Sequence, residues 1–204
     1  MRSFLLPIAG SLALLLCGCS EQPAAPVKQV EEKPEPVTGQ TALFKMFQVA
    51  RSWDPRIQIL KVSSTHLNEV PEVRGKAAAW EGTFVSPTQG RYRTYTFSVI
   101  ELLPNLHKGV FSIAEDAFSG SKGESKPFLI EGAKIDTDKA YETALAKAGD
   151  YEKKNPGQPI TLILELTPRH PDPTWRVIWG ESAGSSSFSV FVDATTGDCL
   201  DVMH

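Results

Sequence analysis

The chain has 204 residues, 41% of them hydrophobic, with 21 Lys and Arg against 24 Asp and Glu and a formal net charge of −3. That size fits one domain or two small ones, and the acidic balance leaves no basic footprint for tracking a phosphate backbone, which excludes nucleic acid as a partner. Two of the three cysteines fall within the first nineteen residues, so Cys199 stands alone in the remainder and no disulfide framework, CxxC metal site or CxxC redox site can form there.

At the N-terminus one positive charge, Arg2, precedes an apolar run from Phe4 to Leu16, and Gly18 sits just before Cys19. This is the layout of a secretory signal, and it falls short of the roughly 20 apolar residues that a committed membrane span needs. The ending Leu16-Cys17-Gly18-Cys19 resembles the lipobox of bacterial lipoproteins, in which cleavage leaves the cysteine as the lipidated first residue. The resemblance makes residues 1–18 the signal peptide and Cys19 the lipidation site, carrying acyl chains such as palmitate; Cys17 is the one departure from the pattern. An ordinary signal peptide with an incidental cysteine is the other reading. Cleavage removes Arg2 and no acid, leaving 20 basic against 24 acidic residues and a charge of −4. Ser20, next in line, resembles the residue found in lipoproteins sent on to the outer membrane of a Gram-negative host, where this chain would face the periplasm.

Residues 19–40 follow with prolines at 23, 26, 34 and 36, four glutamates and almost no large apolar side chain, a composition that cannot bury a core. We expect a tether here, reaching up to roughly 60 Å from the bilayer at about 3.1 Å per residue.

The rest of the chain says one thing twice. Leu43, Met46, Phe47 and Ala50 fall on one helical face, and Tyr141, Ala144, Leu145 and Ala148 repeat that stripe 98 residues later. Each pattern is closed by an Asx-Pro pair, Asp54-Pro55 and Asn155-Pro156. Extended apolar runs follow at Ile57–Val62 and Ile160–Leu166, then turn-rich stretches at Asn68–Lys76 and Pro168–Thr174. A tryptophan-led strand comes next in each half, with Trp80, Gly82 and Phe84 matched by Trp175, Val177 and Trp179 at an offset of 95. Tyr95, Phe97 and Val99 then alternate as Phe188, Val190 and Val192 do, at an offset of 93. Period-2 alternation of aromatic and β-branched residues argues for half-buried antiparallel strands. The last strands are Val110–Ile113, after a longer connection, and Cys199–Val202, after the turn Asp193–Gly197.

The segment SGSKGESK, residues 119–126, has no core-forming side chain and divides the halves. The expected class is therefore α+β, with two tandem modules at 41–118 and 135–204, each a helix packed on a small antiparallel sheet, and a linker at 119–134. A module near 80 residues is marginal alone, so the two sheets or helices should pack on each other.

The second half resembles the PepSY domain family. The resemblance rests on the alanine-rich helix around Ala140, Ala144 and Ala148, on Trp175-Arg176-Val177, and on Phe188 to Gly197, FSVFVDATTG. The first half keeps the helix and Trp80 but lacks the Asp-Ala-x-x-Gly turn. The resemblance implies a non-catalytic role, restraining a peptidase or binding an envelope protein or peptide, with Asp193 and Gly197 as turn residues and no active site or cofactor to carry over.

A few residues invite chemistry. Gly180-Glu181-Ser182-Ala183-Gly184 matches the nucleophile-elbow pattern, with Asp193 and His204 following in the esterase order. An elbow requires a helix starting at the serine, whereas Ser185-Ser186-Ser187 leads into another strand, so a loose hairpin loop is the simpler role. His66, His107, His170 and His204 lie far apart with no metal-ligand spacing. Arg91 and Arg93 beside Tyr92 and Tyr95 read either as a surface for an anion or peptide or as a solvated strand face. The run Ala77–Ala79 reads as core filling. Cys199 reads as a small buried apolar residue or as the site of an intermolecular disulfide. The leading expectation is a non-enzymatic, lipid-anchored envelope protein that binds a protein or peptide. The alternatives are a small serine esterase using Ser182 and a structural subunit of an envelope complex.

Overall fold

The computed structural model describes residues 33–204, so the signal peptide, Cys19 and the tether up to residue 32 lie outside the described residues. Val37–Thr38 (β1) pairs antiparallel with Lys76–Ala77 (β3) and runs straight into helix α1, Gly39–Ala50. The folded part thus takes in the last four residues of the stretch whose composition reads as tether. Thr38 is the N-cap of α1, and Ala42, Leu43, Met46 and Ala50 form its buried stripe. Helix α2, Thr137–Ala148, is capped by Asp136 and buries Ala140, Tyr141, Ala144 and Ala148. Both helices have twelve residues, and both their starts and their ends are 98 positions apart, as the repeated stripe requires. The Asn155-Pro156 pair does not end α2. Gly149, at φ +57°, turns the chain first, and a one-turn helix α3, Tyr151–Lys154, brings the Tyr151 ring to stack 4.6 Å from Phe188.

Eight further strands lie among the described residues: β2 Gln58–Thr65, β4 Ala79–Ser86, β5 Arg91–Ser98, β6 Gly109–Ala117, β7 Ile160–Glu165, β8 Thr174–Trp179, β9 Phe188–Asp193 and β10 Cys199–Met203. Each half is an antiparallel meander in chain order beneath its own helix, an α+β arrangement. Trp80 pairs with Phe97 as Trp175 pairs with Val192, and Phe84 with Arg93 as Trp179 with Phe188. The offset is therefore 95 in both strands of the hairpin, and the counterpart of Tyr95 is Val190, not Phe188. The offset of 93 slips by two residues because a period-2 alternation looks the same after that slide.

The halves join edge to edge. Strand β2 pairs antiparallel with β7 through Lys61–Glu165, Val62–Leu164 and Ser63–Ile163, making one eight-stranded sheet in the order β10-β9-β8-β7-β2-β4-β5-β6. Both helices contribute to one buried cluster, with Leu43, Met46, Trp80 and Phe84 from the first half and Ala144, Trp175 and Trp179 from the second. Val62 faces Gly82 as Leu162 faces Val177, so β2 and β7 correspond at an offset of 100. Ser63 then stands opposite its own counterpart, Ile163. That is the pairing of a pseudo-twofold axis through the sheet, the operation that relates two copies in a symmetric dimer.

The helix N-termini meet at this junction. The Gly39 amide donates to Thr137 Oγ1 at 2.8 Å, and Asp136 Oδ1 accepts from the amides of both Gln40 (2.9 Å) and Thr137 (2.7 Å). One carboxylate serves two helix starts whose positive dipole ends would otherwise repel. The Trp80 and Trp175 rings meet edge to face, 6.5 Å apart at 75°. Beyond the β2–β7 pairing, residues 126–128 pair into the sheet. Phe128 exchanges two 2.8 Å bonds with Ile59, Lys126 donates to the Leu166 carbonyl at 2.8 Å, and the Phe128 ring is buried.

Candidate functional site

Among the described residues the sheet ends in two edges, and they differ. Strand β10 is five residues long and is broken by a bulge between Cys199 and Asp201. Strand β6 has nine residues, GVFSIAEDA, with no proline and no basic residue, and β5 is its only paired neighbour. Phe111 and Ile113 on it are 45% and 46% exposed, and Leu103 in the preceding loop is 73% exposed. Its register skips Ile113, which leaves two four-residue runs, 109–112 and 114–117, on either side of the bulge. Long apolar edges are normally blunted by lysine, proline or a cover, because their free N–H and C=O groups template another strand. Strand β6 has its bulge and, beyond it, the acidic pair Glu115 and Asp116, so its apolar part is Val110–Ile113.

The flanks hold this edge in place. Ahead of it, Glu101 accepts from the Lys108 amide and from His107 Nδ1 at 2.8 Å, and these bonds, the amide first, hold its carboxyl below the usual range. The His107 ring then lies 4.4 Å from Phe111. At the other end Glu115 receives the Nε–H groups of Arg93 and Arg91, one on each carboxylate oxygen. Arg93 also sits 4.6 Å over the Trp53 ring, and Tyr95 is buried edge-on to Phe84. The arginines singled out in the sequence therefore serve as a clasp between β5 and β6, and Tyr95 belongs to the core.

Hydrogen bonds from Arg93 and then Arg91 lower the Glu115 pKa. A folded-state value below the unfolded value of about 4.3 makes the clasp fully stabilising above that pH and lost as the pH falls through the folded value. Carbon-13 NMR should show the Glu115 carboxyl titrating below about 4.3, with the Arg91 and Arg93 Nε–H signals moving in step. An ordinary midpoint would mean that the clasp does not form.

The elbow-like residues are not brought together. Ser182 lies in the exposed loop between β8 and β9, its hydroxyl 2.9 Å from that of Ser185. Asp193 Oδ1 accepts from the amides of Thr195 (2.6 Å) and Thr196 (3.0 Å), shaping a turn that Gly197 closes at φ +85°. The His204 ring lies 5.1 Å from Phe188. His66 is bonded to Glu72 and His107 to Glu101, while His170 packs 5.3 Å from Phe191, where burial lowers its pKa. Among the described residues no group of three or more His, Cys, Asp or Glu could hold a metal ion, and no helix is long and apolar enough to cross a membrane. Ala77–Ala79 are buried, and Cys199 is a half-buried free thiol on β10. The closing strand expected at Val110–Ile113 runs on to Ala117, and its place at the edge follows from the strand order.

No curated protein matches this chain. Among solved structures it is similar to one from Clostridium difficile 630 named as a "putative lipoprotein", at 9% identity and a TM-score of 0.49, over 84% of this chain and 95% of that one. Residues 134–203, which carry α2 and β7 to β10, match the PepSY family, "Peptidase propeptide and YPEB domain".

Proposed function

We propose that this chain is a lipid-anchored, non-catalytic envelope protein whose folded part binds an extended segment of another envelope protein by adding a strand to β6. The observation that carries the reading is the nine-residue edge strand with exposed Phe111 and Ile113 in its first half. Strand addition draws affinity from main-chain hydrogen bonds and specificity from alternate side chains. In this reading Cys19 bears the anchor, residues 20–36 are the tether, and 41–118 and 135–204 act as tandem PepSY-like modules bridged by 119–134. In a Gram-negative host the protein sits on the outer membrane facing the periplasm. The propeptide match of residues 134–203 supports a peptidase as the class of partner, restrained rather than cleaved.

Three substitutions test this. Cys19→Ser abolishes lipid labelling and leaves an uncleaved or soluble species; continued labelling would mean that the lipobox is misread. Ile113→Lys places a charge on the edge and removes recovery of the partner from membranes, while Ser182→Ala leaves recovery unchanged. Ester hydrolysis that disappears with Ser182→Ala would instead establish an enzyme.

A further inference from the structure

A groove of about 660 Å³ opens between the end of α1, the turn before β2, the β4–β5 turn and residues 129–131. This is within the range of roughly 300–1,000 Å³ typical of ligand pockets. Ile57 is buried in its floor, and the half-buried Phe47 and Ile130 rest on the core beneath it, while Leu129 stands 58% exposed at its side. Two arginines line it. Arg51 closes α1 and has no hydrogen-bond or ion-pair partner for its guanidinium among the described residues, and Arg56 Nη2 donates only to Thr88 Oγ1 at 3.0 Å. Asp54, two residues before Arg56, is turned inward, where it takes the Ser86 hydroxyl and the Arg56 amide. Glu131 is the one carboxylate in the lining.

We propose that this groove is a second binding site, for a peptide segment in which large apolar side chains alternate with aspartate or glutamate. The apolar floor seats the former, and Arg51 and Arg56 take the latter as charge-assisted hydrogen bonds. Two cations without a carboxylate partner, on a chain of net charge −3, give the site its sign. The site does not rest on strand addition at β6, so either can fail alone.

The test uses the lipidated full chain in phosphatidylcholine nanodiscs, with fluorescence anisotropy of a labelled dodecapeptide of Leu and Phe alternating with Asp and Glu. Asn/Gln and Lys versions of the peptide and empty nanodiscs serve as controls. The acidic peptide should bind, and Arg51→Glu, Arg56→Glu or the Asn/Gln peptide should each weaken binding about tenfold or more, as expected for a lost charge-assisted contact. Leu129→Ser should weaken it too, and Ile113→Lys should leave it unchanged. Equal binding of the Lys peptide, indifference to both arginine variants, dependence on the peptide's terminal carboxylate alone, or displacement by a free fatty acid would each overturn the proposal.

Discussion

Replacing Trp175 by alanine lowers the free energy of unfolding by about 3–5 kcal/mol, the range for deleting a fully buried aromatic side chain. The ring is completely buried, donates from Nε1 to the Ile135 carbonyl at 2.9 Å, and meets Trp80 at the centre of the shared core. Alanine therefore leaves a cavity under both helix starts and strands the Ile135 carbonyl. Domains of this kind are held by about 5–15 kcal/mol in total, so the variant loses a large fraction of its stability. Trp175→Phe keeps most of the apolar volume and costs less. Urea denaturation of both variants measures the difference, and a Trp175→Ala loss below about 1 kcal/mol would show that the two modules do not share that core.

Gly39→Ala destabilises the protein, against the usual direction. In an ordinary helix the change gains up to about 1 kcal/mol. Here an added Cβ would lie 2.6 Å from Thr137 Cγ2, 2.8 Å from the Trp175 ring and 3.0 Å from the Trp80 ring. None of these can move without disturbing the junction, so the expected cost is about 1–3 kcal/mol, typical of overpacking. Thr137→Ser removes the clashing methyl but keeps the oxygen that accepts the Gly39 amide. The double variant Gly39→Ala/Thr137→Ser should therefore recover part of the loss, a coupling that a double-mutant cycle measures directly. Simple additivity would mean that the helix starts are not in contact.

The sequence carries the parts of this fold more clearly than their assembly. The helix stripe depends on a 3.6-residue period that few other patterns mimic, so the two helices and their offset of 98 are legible in Leu43, Met46 and Ala50 set against Tyr141, Ala144 and Ala148. The strand pattern locates β5 and β9 but cannot fix their mutual register, because sliding by two residues preserves every facing. Nothing in Ile57–Val62 or Ile160–Leu166 says that these two strands will be neighbours, and the junction hangs on Gly39 and Asp136, a glycine and an acid with no local signature. Gly39 matters because of what lies across from it, 98 residues away. The groove is equally hidden, since Phe47, Ile57, Thr88 and Ile130 come from four separate stretches of chain. Edge exposure at β6 is visible only once the strand order is known.

The central claim is that partners add a strand at β6, and position-specific photocrosslinking tests it most directly. A photoreactive residue is placed in turn at Phe111 and Ile113 on β6 and at Leu200 on β10, all exposed, in the full-length chain expressed in its own cells. Strand addition predicts one discrete adduct from Phe111 and Ile113, lost when Ser112→Pro removes an outward-facing backbone donor from the edge, and none from Leu200. An adduct from Leu200 with none from β6, or one indifferent to the proline, would contradict the account.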